Sequence, residues 1–169
     1  MDDMAALLEP QIPGLRRYAW ALLRDSEAAD DLVQDTLERA ISRWHLRRRD
    51  CDLRAWLFAI ERNLFLSGIR QRNRRGPHLG SEALDDLPSS DSPQDAALGA
   101  RDVLASLDLL PEDQRSVLLL VTVEGLSYED TARALDVPVG TVMSRLSRAR
   151  EKLRGYMETG RTAVLRRVK

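Results

Sequence analysis

The sequence predicts an all-α protein with two small helical domains joined by a flexible acidic linker. Apolar residues recur at helical spacing in both halves of the 169-residue chain, and no strand-like alternation competes with them. Residues 76–98 are rich in glycine, proline, serine and acid and contain no lysine or arginine. Such a stretch buries too little apolar surface to fold alone. The predicted divisions are a domain over 1–75, the linker over 76–98, a domain over 99–160 and a basic tail over 161–169.

The first domain is predicted to be a three-helix bundle. Pro13, the pair Ser26 and Glu27, and Asp52 each suit the first turn of a helix. Three apolar stripes follow them: Ile12, Leu15, Ala19 and Leu22; Leu32, Thr36, Ala40, Ile41 and Trp44; and Leu53, Trp56, Leu57, Ile60, Leu64 and Ile69.

The second domain is predicted to contain four helices. A first stripe is followed by Pro111, which opens the next helix, and the last two helices form a helix-turn-helix over 126–150. Ser127 is expected to cap the third helix, and Pro138 to begin the fourth. The apolar positions are Val103, Leu104, Leu107 and Leu110; Val117, Leu118, Val121 and Val123; and Ala132, Leu135, Val142 and Leu146.

The last helix carries three arginines and three small hydroxyl residues. A helix-turn-helix places such a helix in the DNA major groove, where arginine can bond a guanine edge and hydroxyl side chains let the backbone approach phosphates. Gly140 has no side chain, so the backbone there could lie close to a phosphate. The alternative for this residue is that a glycine at this position has no functional role. The alternative is two ordinary antiparallel helices with a solvated basic face.

Charge is unevenly divided along the chain, although the whole has a net charge of −1. Residues 1–40, 41–75, 76–114 and 115–169 carry −5, +7, −8 and +5. The two basic blocks predict two separate surfaces for a polyanion, and the acidic blocks suit a basic protein patch. One helix-turn-helix does not explain both basic blocks.

Several classes of protein are disfavoured. The chain has a single cysteine, Cys51, which excludes an internal disulfide. His45 and His78 are the only histidines that could join it as metal ligands, so no metal or cofactor site is expected. The longest aliphatic run, over 117–121, is far shorter than the roughly 20 residues of a membrane helix, and the N-terminus does not read as a signal peptide. A cytoplasmic protein without membrane insertion is expected.

Three sets of motifs, in order, resemble the sigma factors of the extracytoplasmic-function (ECF) type. SEAADDLVQDT (26–36) is similar to that family's region 2.2, and WLFAIERNL (56–64) with RQRNRR (70–75) to its regions 2.3 and 2.4. LPEDQR (110–115), EGLSYE (124–129) and GTVMSRL (140–146) are similar to its region 4. The resemblance covers nearly the whole chain and implies a subunit that directs core RNA polymerase to a promoter, not an enzyme.

The resemblance also implies roles for particular residues. The acidic helix would dock on the clamp helices of the polymerase through Asp30, Asp31, Gln34 and Asp35, where a solvated helix face is the alternative. The first basic block would meet the minus-ten element, where a base leaves the stack, through Arg47, Arg48, Arg49, Arg62, Asn63, Arg70, Arg74 and Arg75. Arg72 could also track the backbone. Trp44 and Trp56 lie on apolar stripes, which favours core packing over base stacking.

The second basic block would read the minus-thirty-five element as a duplex. Its implied contacts are Gly140, Thr141, Ser144, Arg145, Ser147, Arg148 and Arg150. Met143 stands where the family often has a polar or basic residue, which suggests an apolar contact there, and Leu146 and Ala149 are expected to be buried.

The family further implies an anti-sigma partner, and a linker that runs through the polymerase cleft, although a simple tether explains the linker equally well. A conventional helix-turn-helix regulator and a sigma-like decoy for an anti-sigma factor are the rival interpretations. The basic three-helix unit weighs against the first, and the retained arginines weigh against the second. Cys51 belongs to the loop over 45–51, which stands where the family has its base-capturing specificity loop. An incidental thiol is favoured there over redox sensing, because no second thiol could resolve it.

Overall fold

The computed structural model describes residues 2–48, 50–75 and 94–167, and all regular elements in these ranges are helices. The all-α prediction is thereby confirmed. Arg49 and residues 76–93 of the predicted linker lie outside the described residues, as does the side chain of Arg75. The described residues fall into two compact units, Met1–Asp86 with Glu129–Val137, and Leu87–Tyr128 with Pro138–Lys169.

The first unit is built around the three predicted helices. They are α2 (Ile12–Leu23), α3 (Ser26–Ser42) and α4 (Leu53–Arg75), and a short helix that the sequence did not predict, α1 (Asp2–Leu8), precedes them. Helix α3 packs on both α2 and α4. In the core the rings of Tyr18 and Phe58 meet edge to face, with centroids 5.4 Å apart.

Side-chain caps fix where α3 and α4 begin. Asp25 is the N-cap of α3, because its carboxylate accepts a hydrogen bond of 2.9 Å from the backbone N–H of Ala28. Ser26 is the first helical residue, so the prediction located the start correctly but missed the cap. Asp52 plays the predicted part in α4, where it accepts from the N–H of Ala55 at 2.9 Å.

The second unit contains α5 (Gln94–Asp108), α6 (Glu112–Leu118) and α8 (Val139–Arg167). Helix α8 packs against α5 and α6. Helix α5 begins within the predicted linker, and α8 runs on through most of the predicted tail. Helix α7 (Tyr128–Leu135) is the third predicted helix of this half of the sequence, but Glu129–Val137 groups with the first unit.

Helix α6 continues as a π-helix over Leu119–Val123. The N–H of Glu124 donates to the carbonyl of Leu119 at 3.0 Å, and this wider turn rotates the chain away from α-helical register. Leu119 and Leu120 are therefore buried, whereas Val123 is 53% exposed. The prediction that Val123 belongs to the apolar stripe was wrong for this reason.

We predict that Asp25→Ala destabilises the first unit by about 1 kcal/mol, because an N-cap bond is lost while the N–H of Ala28 stays in place. Urea unfolding followed by circular dichroism would measure the change. Ser26→Ala is the matched control and should have a smaller effect. Equal losses in the two variants would contradict the assignment of the cap.

Candidate nucleic-acid interface

The first turns of α8 have a buried face and an exposed face. Val142, Leu146 and Ala149 are 0%, 2% and 0% exposed, as expected for positions that recur with the helical turn. The opposite face presents most of the residues that the sequence assigned to duplex DNA. Those exposed are Gly140, Ser144, Ser147, Arg148 and Arg150, while Thr141 is half-buried.

Local hydrogen bonds set the start of this helix. The carbonyl of Pro138 accepts from the N–H groups of Thr141 and Val142, at 2.9 and 3.2 Å. Just before it, Asp136 has a left-handed backbone with φ of 53°, and the N–H of Val137 donates to the carbonyl of Ala132 at 3.1 Å. This bond closes α7 in the manner of a Schellman motif and ends the helix there.

Arg145 differs from the other basic residues of this region. Its Nε lies 3.1 Å from a carboxylate oxygen of Asp113 in α6, and its side chain is only 25% exposed. Asp113 also accepts from the backbone N–H of Gln114 at 2.9 Å, which fixes the carboxylate. Arg145 therefore ties α8 to α6, an interaction between residues far apart in sequence that helical spacing does not indicate.

The loop between α3 and α4 belongs to the first of the two regions that the sequence assigned to DNA. The rings of Trp44 and Trp56 meet edge to face with centroids 6.1 Å apart, and both side chains are half-buried. The guanidinium of Arg47 lies 5.0 Å from the centre of the Trp44 ring, and its Nη1 donates to the carbonyl of Cys51 at 3.3 Å. Arg47 thus closes its own loop by a cation–π contact and a hydrogen bond.

Arg48 projects from the same loop into solvent. It pairs with Asp50 at 3.0 Å, and the two side chains are 81% and 70% exposed. The hydrogen bond from Arg48 holds the pKa of Asp50 below its ordinary value, because it favours the charged form of the carboxylate. The Asp50 charge offsets part of the positive potential that Arg48 brings to the loop.

Helix α4 carries a polar stripe beyond this loop. Asn63, Arg70 and Arg74 are all exposed, and their separations of seven and eleven residues are close to whole helical turns. They therefore share one face, while Arg62 is half-buried beside it. On the buried side, Glu61 has no exposed surface, a placement that the apolar pattern did not indicate.

The acidic side chains of α3 form a second exposed surface. Asp30, Asp31, Gln34 and Asp35 all lie in solvent, as the docking interpretation requires. Asp30 is paired with Arg16 of α2 at 2.7 Å, and Gln34 donates to Glu38 at 3.0 Å.

An open groove of about 370 Å³ runs beside these residues between α2 and α3. Its apolar lining comes from Ile12, Val33, Leu37 and Ile41, and Ile41 is 50% exposed. The sequence analysis assigned Ile41 to the buried apolar stripe of α3. It therefore predicted the charged residues of this surface but not its apolar residues. Separately, none of the described helices combines the length and the apolar character needed to cross a membrane.

Two family models match separate parts of the chain. The model described as the Sigma2 domain of PhyR matches residues 8–61, and that described as Sigma-70, region 4 matches residues 100–153. The first match ends within α4, and the second spans most of α5 to α8.

Individual relatives span both parts. The ECF RNA polymerase sigma factor EcfG of Rhodopseudomonas palustris is 43% identical over 152 residues, which are 90% of this chain and 81% of that protein. The sigma factor RpoE of Bartonella quintana, solved with the anti-sigma factor NepR, is 33% identical with a TM-score of 0.80, covering 94% of this chain and 98% of its own. The anti-anti-sigma factor PhyR of that organism shares the fold, at 17% identity and a TM-score of 0.59 over 89% of this chain and 49% of its own.

We predict that Arg47→Ala opens the loop between α3 and α4, whereas Arg48→Ala does not. Loss of a cation–π contact of about 0.5–1 kcal/mol should raise amide hydrogen exchange over residues 44–52 about two- to fivefold. Mass spectrometry of exchanged peptides would measure it. Equal exchange in the two variants would show that Arg47 does not hold the loop.

We also predict that Arg145 and Asp113 are coupled, with an interaction of about 0.5 kcal/mol, as is usual for partly exposed pairs. A double-mutant cycle of Arg145→Ala and Asp113→Ala, followed by urea unfolding, would measure the coupling. The cycle of Asp113→Ala with Arg148→Ala serves as the control and should be additive. If the effects of Arg145→Ala and Asp113→Ala were also additive, the proposed structural role of Arg145 would be contradicted.

Proposed function

The chain belongs to the ECF RNA polymerase sigma factors, and from this membership we propose which of its surfaces bind the polymerase and which bind DNA. A sigma factor of this type binds core RNA polymerase and directs promoter-specific transcription initiation. It is a DNA-binding initiation factor rather than an enzyme. The observation that carries this function is identity of 43% to an ECF sigma factor over 90% of the chain, across both described units.

The acidic surface of α3 is our proposed polymerase contact. Asp31 and Asp35 are exposed. The groove that Asp30 and Gln34 help to line adds apolar surface that a partner helix could cover. A purely solvated face would need no such groove. Asp30 serves partly to hold Arg16, so it contributes to the arrangement of α2 and α3 as well as to charge.

The two basic regions are our proposed DNA contacts. Arg70 and Arg74 on α4, with Arg48 on the loop, suit the phosphates of an opened minus-ten element, and Asn63 suits the edge of an extruded base. Arg75 and Arg49 extend the same basic run in the sequence.

On α8, Ser144, Ser147 and Arg148 suit the base edges of a minus-thirty-five duplex, with Gly140, Thr141 and Arg150 nearer the phosphates. Arg145 is paired with Asp113. We propose that its main role is to hold α8 against α6 and that contact with DNA is secondary.

Three further proposals concern a protein partner, the location of the protein and its linker. Because RpoE of B. quintana was solved with an anti-sigma factor, we infer that an anti-sigma protein also binds this chain. We place the protein in the cytoplasm, where RNA polymerase meets the chromosome. For residues 76–98 between domains 1–75 and 99–160, passage through the polymerase cleft and a simple tether remain equal proposals.

A decoy that sequesters an anti-sigma factor is the second candidate. It is favoured by one observation, the match of residues 8–61 to the Sigma2 domain of PhyR, a protein described as an anti-anti-sigma factor. A decoy needs the anti-sigma surface but no DNA contacts. The exposed Arg148 and the stripe of Asn63, Arg70 and Arg74 support the sigma factor instead.

The deciding experiment is transcription in vitro with purified core polymerase and a library of promoter fragments. We expect initiation only when the protein is added. Arg148→Ala should weaken initiation by about five- to a hundredfold if it bonds a guanine edge. Asp31→Ala/Asp35→Ala should weaken polymerase binding, whereas Asp3→Ala/Asp102→Ala removes the same charge from other exposed positions and should not. Binding to an anti-sigma protein without any initiation would favour the decoy.

A further inference from the structure

Met143 is an exception on the exposed face of α8. Its side chain is 54% exposed, whereas its neighbours on that face are serines and arginines. A single exposed apolar side chain is common on protein surfaces and needs no explanation by itself. The position of Met143 calls for one, because it lies about 100° around the helix from the buried Val142. It therefore borders the exposed face in the turns that carry the proposed duplex contacts.

A cleft of about 380 Å³ opens beside Met143. Its lining is Tyr128, Met143, Leu146, Ser147, Arg150, Glu151 and Arg154. Two arginines, two hydroxyl groups and the carboxylate of Glu151 border the thioether, which is an unfavourable setting for an apolar protein partner. Arg150 and Arg154 outweigh the charge of Glu151, so the cleft suits a nucleic acid, whose phosphates pair with arginine while its bases offer apolar groups.

The chemistry of the thioether selects among the bases. Methionine has no hydrogen-bond donor and only a weak acceptor, so it gains little from the polar edges of guanine, adenine or cytosine. Thymine alone presents a methyl group in the major groove. A flexible, polarisable side chain can follow that methyl over a range of positions.

We propose that Met143 is a specificity-determining residue that selects a thymine of the minus-thirty-five element by contact with its C5 methyl group. The proposal rests on the proposed function, since it requires α8 to lie in the major groove of that element. It predicts that affinity depends on a methyl group that takes part in no hydrogen bond.

Replacement of thymine by deoxyuridine tests this directly, because it removes one methyl and leaves every donor and acceptor of the base pair in place. Each thymine of the minus-thirty-five region, on both strands, is replaced singly in a promoter recovered from the library. Competition assays then measure the affinity of the holoenzyme for each duplex. Three proteins are compared: the wild type, Met143→Ala, and the control Met157→Ala.

The control methionine is well matched. Met157 is 37% exposed on the same helix, and fourteen residues at about 1.5 Å each place it roughly 21 Å further along the axis. Alanine favours helix at both positions, so neither variant should unfold α8.

For the wild type and for Met157→Ala, one deoxyuridine should weaken binding about fourfold, the contribution expected of one buried methyl. Met143→Ala should bind the unmodified promoter more weakly by a similar factor and should not respond to that deoxyuridine. The assignment of Met143 is overturned if no thymine is methyl-sensitive in the wild type, or if Met143→Ala keeps the sensitivity. Failure of the wild type to initiate at any promoter would instead overturn the proposed function, and this proposal with it.

Discussion

Burial of one face of α8 is the constraint on which the surface proposed to bind duplex DNA depends. Val142, Leu146 and Ala149 are almost fully buried, and α8 packs on α5 and α6. Each large apolar side chain contributes about 1.5–3 kcal/mol when it is removed from water, so the helix cannot rotate about its axis without a large loss. Rotation is what would change the residues offered to a groove. The apolar stripe therefore determines that Ser144, Ser147 and Arg148 face outward.

The arginines divide into two groups by their environment, which their sequence context does not reveal. Arg47 lies on the Trp44 ring and bonds a carbonyl of its own loop, and Arg145 is paired with Asp113. Arg70, Arg74 and Arg148 are exposed. The arginines of the first group restrain the conformation of the surface around them. This restraint lowers the conformational entropy lost when that surface binds a ligand. The second group remains able to neutralise phosphates.

Helical spacing and helix-start residues were enough to predict α2, α3, α4 and the buried positions of α8, because these signals are local. The π-helix after α6 could not be predicted, since it arises from one wider turn in an unbroken apolar run and moves Val123 to the surface. Asp25 was missed because Ser26, its neighbour, is an equally good cap by chemistry. The pairings of Arg145 and Asp30 bring together different helices, and nothing in a single sequence indicates them.

The difference between charged and uncharged side chains also explains why an exposed apolar residue can be tolerated on a helix that is proposed to bind DNA. Arginines give affinity that depends little on sequence, because phosphates are present at every step of the duplex. Adding charge would strengthen binding everywhere, so discrimination must come from side chains that gain from one base and lose with the others. A thioether in this position adds no non-specific attraction, and its whole contribution depends on the base that it meets. Met143 is thus suited to selectivity because it is uncharged.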